Sequence, residues 1–170
     1  MELATLSIWP IDLGYTTAER FVALLGSLVM IAISVGVHYE ALRLLARIGL
    51  GRRLPRQAMA LIVMALMLVH FIEVGLYASV YYFIDGNAFG HIASTNDDPA
   101  TFAGQLSDYF YFSAVTYSTL GFGDTVPRGP LRLLAASQSV CGLLLIAWSA
   151  SFTYLLMQQQ WGTPAAKDET

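Results

Sequence analysis

Residues 119 to 124 read Thr-Leu-Gly-Phe-Gly-Asp, so glycines alternate with side-chain-bearing residues through Gly123. Glycine adopts positive φ at no steric cost, and a run spaced this way can hold successive carbonyls on one side of the chain. A ring of such carbonyls, contributed by several chains around one axis, can replace the water shell of a dehydrated cation. The chemistry is coordination by backbone oxygen, and it needs neither a nucleophile nor an acid–base pair. A second group is His70 and Glu73, at i and i+3 on one helical face inside an apolar run, with His38 in another run. These side chains could share a proton or contribute to a metal site. The spacing argues against the metal: His70 and Glu73 supply two ligands, His38 falls toward the inner end of a different segment, and metal sites usually need three or four supported ligands.

The elements that must position these residues are legible in the composition. Of 170 residues, 56% are hydrophobic and 12% charged, with a mean hydropathy of +0.57. A soluble domain carries roughly twice that charged fraction. Phe21 to Val37 is 17 residues without a charge, and Leu133 to Met157 is 25. Ala58 to Ile84 is 27 residues broken only by His70 and Glu73. A helix needs about 20 apolar residues to cross the hydrocarbon core, so the second and third stretches suffice. The first suffices if its helix runs on past His38 and Tyr39. The expectation is three spanning helices. Glu2, Asp12 and the Trp9-Pro10 pair argue against a cleavable signal peptide, and the 13 residues after Met157 are too few for a soluble regulatory module. The single Cys141 excludes an intrachain disulfide and reads as a small apolar filler.

Five of the nine basic residues (Arg43, Arg47, Arg52, Arg53 and Arg56) fall between the first and second apolar runs, in a segment read as a loop containing Gly49, Gly51 and Pro55. The positive-inside rule makes that loop cytoplasmic, which places the N-terminus outside and the C-terminus inside. The connection from 83 to 132 then lies outside. It carries Asp85, Asp97, Asp98, Asp108 and Asp124 against Arg128 and Arg132, a balance that would concentrate cations. Asp97 and Asp98 read as ordinary loop solubility.

Leu106 to Ser118 is helix-like, yet at about 1.5 Å per residue it spans under 20 Å. It cannot cross a bilayer, so a re-entrant half-helix is expected, capped by Ser107 or Asp108. Its C-terminal end would point toward the membrane centre, where the helix dipole favours a cation.

Residues 116 to 124, Thr-Tyr-Ser-Thr-Leu-Gly-Phe-Gly-Asp, resemble the selectivity filter of the tetrameric potassium channels, whose usual form is Thr-Val-Gly-Tyr-Gly-Asp. Gly-Phe-Gly-Asp alone is a common turn-like string; between two spanning helices and after a half-helix it is specific. The resemblance covers about Ala58 to Met157. It implies an all-α membrane protein, a homotetramer around a central pore, with a re-entrant pore helix and filter loop. The implied layout has three parts. Residues 1–57 hold an outer segment, the first helix and the basic loop. Residues 58–157 form the pore domain: outer helix 58–84, outer loop 85–105, pore helix 106–118, filter 119–124 and inner helix 131–157. Residues 158–170 form a cytoplasmic tail.

Carried over by position, the backbone oxygens of Thr119, Leu120, Gly121 and Phe122 would coordinate K+, with Gly123 completing the filter and the Thr119 hydroxyl forming the innermost site. Asp124, Tyr111 and Val115 would support it. Leu120 stands for the usual Val and Phe122 for Tyr, which removes a hydroxyl, and Tyr111 and Phe112 stand where the family often has Trp. A less hydrogen-bonded collar predicts a filter prone to collapse at low external potassium.

Gly142, about twenty residues past the filter, stands near the family's hinge glycine; close helix packing is the even alternative. Trp148 and Ser149 lie farther in, and Trp161 follows the helix as an interface anchor. Glu73 must be protonated or paired, with His70 as the nearest partner, because a charge at the bilayer centre costs at least about 2.5 to 3.5 kcal/mol. The contact reads either as proton-sensitive, and so a candidate for gating, or as a hydrogen bond that fixes packing. No voltage sensor is evident. The expected function is passive, potassium-selective conduction in the cell membrane. The expected partners are further copies of the chain and lipids, with no nucleic acid, organic cofactor or enzymatic activity. The alternatives are a weakly selective cation channel and, far behind, a metal-binding transporter or enzyme using His38, His70 and Glu73.

Overall fold

The computed structural model describes residues 15–51, 54–87, 89–94 and 102–161. Glu2, Asp12, Arg52, Arg53, Asp97, Asp98 and the tail from 162 lie outside them. Four helices follow one another: α1 (Thr17–Gly49), α2 (Arg56–Ile84), α3 (Leu106–Tyr117) and α4 (Leu131–Trp161). Two three-residue strands accompany them, β1 (Ile92–Ser94) and β2 (Thr125–Pro127), paired antiparallel with Ala93 opposite Val126. Among the described residues, α1, α2 and α4 are long and apolar enough to cross a membrane.

α1 is longer than its uncharged core. Thr16 caps it through a reciprocal box with Glu19: Glu19 N donates to Thr16 Oγ1 at 3.2 Å and Thr16 N to Glu19 Oε2 at 2.7 Å. At the other end the helix takes in Arg43 and Arg47, which the sequence reading had put in a loop. The physical reason is the run of Ala, Leu and Arg from 41 to 47, all strong helix formers. Arg43 also pairs with Glu40 on the exposed face at 3.0 Å. His38 therefore lies well inside α1, not near its end. α4 likewise runs on to include Trp161 as its last residue.

α3 is capped two residues before Ser107, the earlier of the two expected caps. Gln105 is the N-cap and Asp108 sits at N3, where its Oδ2 accepts from Gln105 N at 3.0 Å and Ala103 N at 2.9 Å. Neither Ser107 nor Asp108 is itself the cap. Asp85 and Asp108, expected as mouth charge, thus also have local structural duties: Asp85 accepts from Ile92 N at 2.8 Å and Tyr109 OH at 2.5 Å.

α1 packs mainly on α4 and α2 mainly on α3, while α3 also meets α4. The core has two apolar clusters. One gathers Met30, Tyr77, Tyr81, Ile92, Phe112 and Leu134; the other gathers Leu42, Ile62, Leu66, Phe152 and Leu156. Along α1, α2 and α4, buried polar residues fall between these clusters: His38, Glu73, Gln138 and Ser149. Large apolar side chains such as Phe83 (74% exposed), Val140 (71%) and Leu61 (69%) face outward from the single chain. Apolar area on that scale belongs against lipid or other copies of the chain rather than water.

Candidate functional site

α3 ends at Tyr117, and Ser118 closes the helix by donating its N–H to Ala114 O at 3.0 Å. The chain then doubles back along α3. Thr119 N donates to Thr116 O at 3.0 Å and Gly121 N to Val115 O at 3.1 Å. Through the loop φ is +60° at Thr119, +50° at Gly121 and +80° at Gly123, while Leu120 and Phe122 have no positive φ. Backbone that alternates in hand from residue to residue turns successive carbonyls to one side. A threonine in the left-handed region costs about 1 to 2 kcal/mol, and strain of that kind gathers at functional sites. The side chains of Leu120 and Phe122 are 57% and 66% exposed on the single chain.

The far end of the loop is tied to α3. Tyr111 OH donates to Asp124 Oδ2 at 2.8 Å, and Asp124 Oδ1 accepts from Thr125 N at 3.0 Å. The hydrogen bond to Asp124 raises the pKa of the Tyr111 hydroxyl. Beyond Asp124, β2 pairs with β1. A cleft of about 420 Å³ lies against the loop, lined by Thr116, Thr119, Gly121, Gly123 and Ser139 among others.

α3 itself is clamped by buried hydrogen bonds. Ser113 Oγ donates to Val74 O of α2 at 2.7 Å, and Gln138 Nε2 of α4 donates to Ser113 Oγ at 2.7 Å. Tyr81 OH completes the chain by donating to Gln138 Oε1 at 2.6 Å. Ser139 Oγ donates to Thr116 O at 2.9 Å. Sequence reading missed Tyr81, Ser113 and Gln138. The available signal was Gln138, an amide in a 25-residue uncharged run. Gly142 brings α4 onto the end of α3: a Cβ there would meet Tyr117 O at 2.2 Å. This contact is what close packing, one of its two readings, requires.

A second constellation lies beside the foot of α3. Glu73 Oε1 is 2.9 Å from His38 Nδ1, and Glu73 Oε2 is 3.3 Å from His70 Nδ1. Tyr117 OH donates to Glu73 Oε2 and stands 2.9 Å from His70 Nδ1. Ser149 Oγ lies 3.2 Å from His38 Nε2 and 3.1 Å from His70 Nε2. His38 and Glu73 are fully buried. The expectation that His38 stands apart is thus corrected: with α1 continuing to Gly49, His38 comes level with Glu73 and Ser149. Ser149 and Tyr117 are further members that spacing alone did not single out.

Comparison with known proteins reports on the stretch from α2 to α4. The sequence model of a family described as "Ion channel" matches residues 69–159, more than half of the 170. The chain is 40% identical over 52 residues to the inward rectifier potassium channel Kirbac3.1 of Paramagnetospirillum magnetotacticum, covering 30% of this chain and 18% of that protein. It is 41% identical over 58 residues to a protein named as a potassium channel in Rhodopseudomonas palustris, covering 34% of this chain and 14% of that one. The chain thus matches less than a fifth of the length of either relative. No solved structure matches significantly.

Proposed function

The chain belongs to the ion channel family, and from that premise we propose that it conducts potassium ions passively across the membrane as one quarter of a homotetrameric pore. The observation that carries the reading is the alternation of positive φ at Thr119, Gly121 and Gly123 with its absence at Leu120 and Phe122. One loop offers one column of carbonyls, and an ion stripped of its hydration shell needs a ring of them. Four copies supply the ring. The exposed Leu120 and Phe122 side chains give a second support, since neighbouring copies would cover them.

In this reading the backbone oxygens of Thr119, Leu120, Gly121 and Phe122 take the place of water around K+, and the Thr119 hydroxyl forms the innermost site. Gly123 permits the final turn. Val115 and Tyr111 hold the loop to the pore helix α3, the latter through Asp124. Phe122 cannot supply the hydroxyl the family usually has there, so filter stability leans on the Tyr111–Asp124 tie. Conduction should therefore fade when external potassium is withdrawn, and currents indifferent to potassium would contradict this. The basic residues near the α1–α2 junction support an orientation with both that junction and the C-terminus in the cytoplasm.

The test is ion flux from liposomes holding purified protein, with potassium and sodium gradients compared and Gly121→Ala run alongside. Potassium flux far above sodium, lost in the variant, is the expected result. Equal flux of both ions would favour a weakly selective channel whose altered collar admits sodium.

A further inference from the structure

We propose that His38, His70 and Glu73 form a binding site for a divalent transition ion of the Zn2+ type, which joins the first helix to the foot of the pore helix. This stands apart from the filter reading: it uses other residues and a different ligand class.

The three side chains come from α1 and α2, and their ligating atoms all lie within 4.8 Å of one another. Two of the separations, 2.9 and 3.3 Å from the Glu73 oxygens to the two Nδ1 atoms, already lie near a tetrahedral edge. Bonds of about 2.0 to 2.1 Å to one ion give ligand–ligand distances of about 3.3 Å. Two imidazoles and a carboxylate are the donor set of borderline divalent ions such as zinc and cobalt. The second Glu73 oxygen is in reach to complete a four-coordinate shell, and Tyr117 OH, which donates to Glu73 Oε2, would hold that carboxylate in place.

The surroundings fit the tautomers a metal requires. If both histidines ligate through Nδ1, both Nε2 atoms carry a proton. Ser149 Oγ lies within 3.2 Å of each, and a hydroxyl oxygen has two lone pairs, enough to accept from both. Ligating histidines characteristically donate their other N–H in this way. Trp148 covers His38, with ring centroids 5.7 Å apart. A cavity of about 480 Å³, lined in part by His70, Tyr117 and Ser149, offers the way in. The ion would also supply the positive charge that a fully buried carboxylate at membrane depth requires. The competing arrangement puts a proton in the ion's place and closes the same five groups by hydrogen bonds alone.

The experiment uses full-length, tag-free protein in detergent, stripped with EDTA and titrated with Zn2+ by calorimetry and with Co2+ by visible absorption. The expected result is one ion per chain, intense d–d bands of a four-coordinate Co2+ site, and a thermal midpoint raised by Zn2+. His38→Asn and Glu73→Gln should abolish the Co2+ bands. Ser149→Ala should weaken affinity about 10- to 100-fold while leaving the fold intact. His91→Asn, at an exposed position outside the cluster, should bind as wild type does. Wild-type protein that takes up no stoichiometric ion would overturn the proposal and leave the hydrogen-bonded arrangement. So would binding that survives both His38→Asn and Glu73→Gln.

Discussion

The loop from Thr119 to Asp124 and the buried polar cluster lie two residues apart at Tyr117 and Thr119, yet they are built on opposite principles. The loop is six consecutive residues that, on the proposed reading, work through backbone carbonyls, with the Leu120 and Phe122 side chains exposed on the single chain. The cluster draws single side chains from positions 38, 70, 73, 117 and 149, and its polar atoms find their partners within one chain. The loop is locally specified and, on the proposed reading, complete only in an assembly. The cluster is specified by how four helices cross, and is complete in the monomer. Damage to the first should therefore remove function with little loss of fold, whereas damage to the second should loosen the fold first.

Substitutions can break that contrast. The largest functional effect is expected from Gly121→Ala, which forces a Cβ into a left-handed position in every copy at about 1 to 2 kcal/mol each. Selective flux should vanish while the thermal midpoint in detergent falls by only a few degrees. Glu73→Ala should do the reverse. It leaves His38 Nδ1 without its buried partner and Tyr117 OH without its carboxylate acceptor, at about 1 to 3 kcal/mol for each group left unsatisfied, so the midpoint should fall sharply, while any folded channels keep their selectivity. Gly142→Ala comes next: its Cβ would press on Tyr117 O, and overpacking of this kind costs about 1 to 3 kcal/mol. A midpoint unchanged by Gly142→Ala would revive the hinge reading. Tyr111→Phe should have the smallest effect, a modestly faster loss of current on potassium withdrawal. Because the folded-state pKa of Tyr111 is raised by Asp124, its tie to the loop is fully present below the ordinary tyrosine value of about 10 and is lost only as pH climbs past the raised one. Current decay that changes with pH near neutrality would not come from this group.

The same contrast explains what the sequence could tell. The spacing of Gly121 and Gly123 is legible as backbone geometry, because glycine spacing and φ are causally linked, whereas the positive φ of Thr119 has no signal in its residue type; a three-helix membrane fold follows from apolar run lengths. The α1 terminus was less legible: charge at Arg43 and Arg47 suggested a loop, whereas Ala and Leu propensity carried the helix to Gly49. A helix ending soon after Tyr39 would leave His38 at its terminus, whereas the helix to Gly49 holds it level with Glu73. The short β1–β2 ribbon left no periodic signal at three residues per strand. Gln138, Ser113 and Tyr81 meet only through tertiary packing, so their pairing is invisible to periodicity.

The most direct measurement is the reversal potential with potassium on one side of a planar bilayer and sodium on the other, for wild type, Gly121→Ala and Glu73→Gln. The account predicts strong potassium preference in wild type and in the Glu73→Gln channels that fold, and loss of preference or of current in Gly121→Ala. Selectivity that survives Gly121→Ala but fails in folded Glu73→Gln would contradict it, and would move the ion-discriminating site from the loop to the buried cluster.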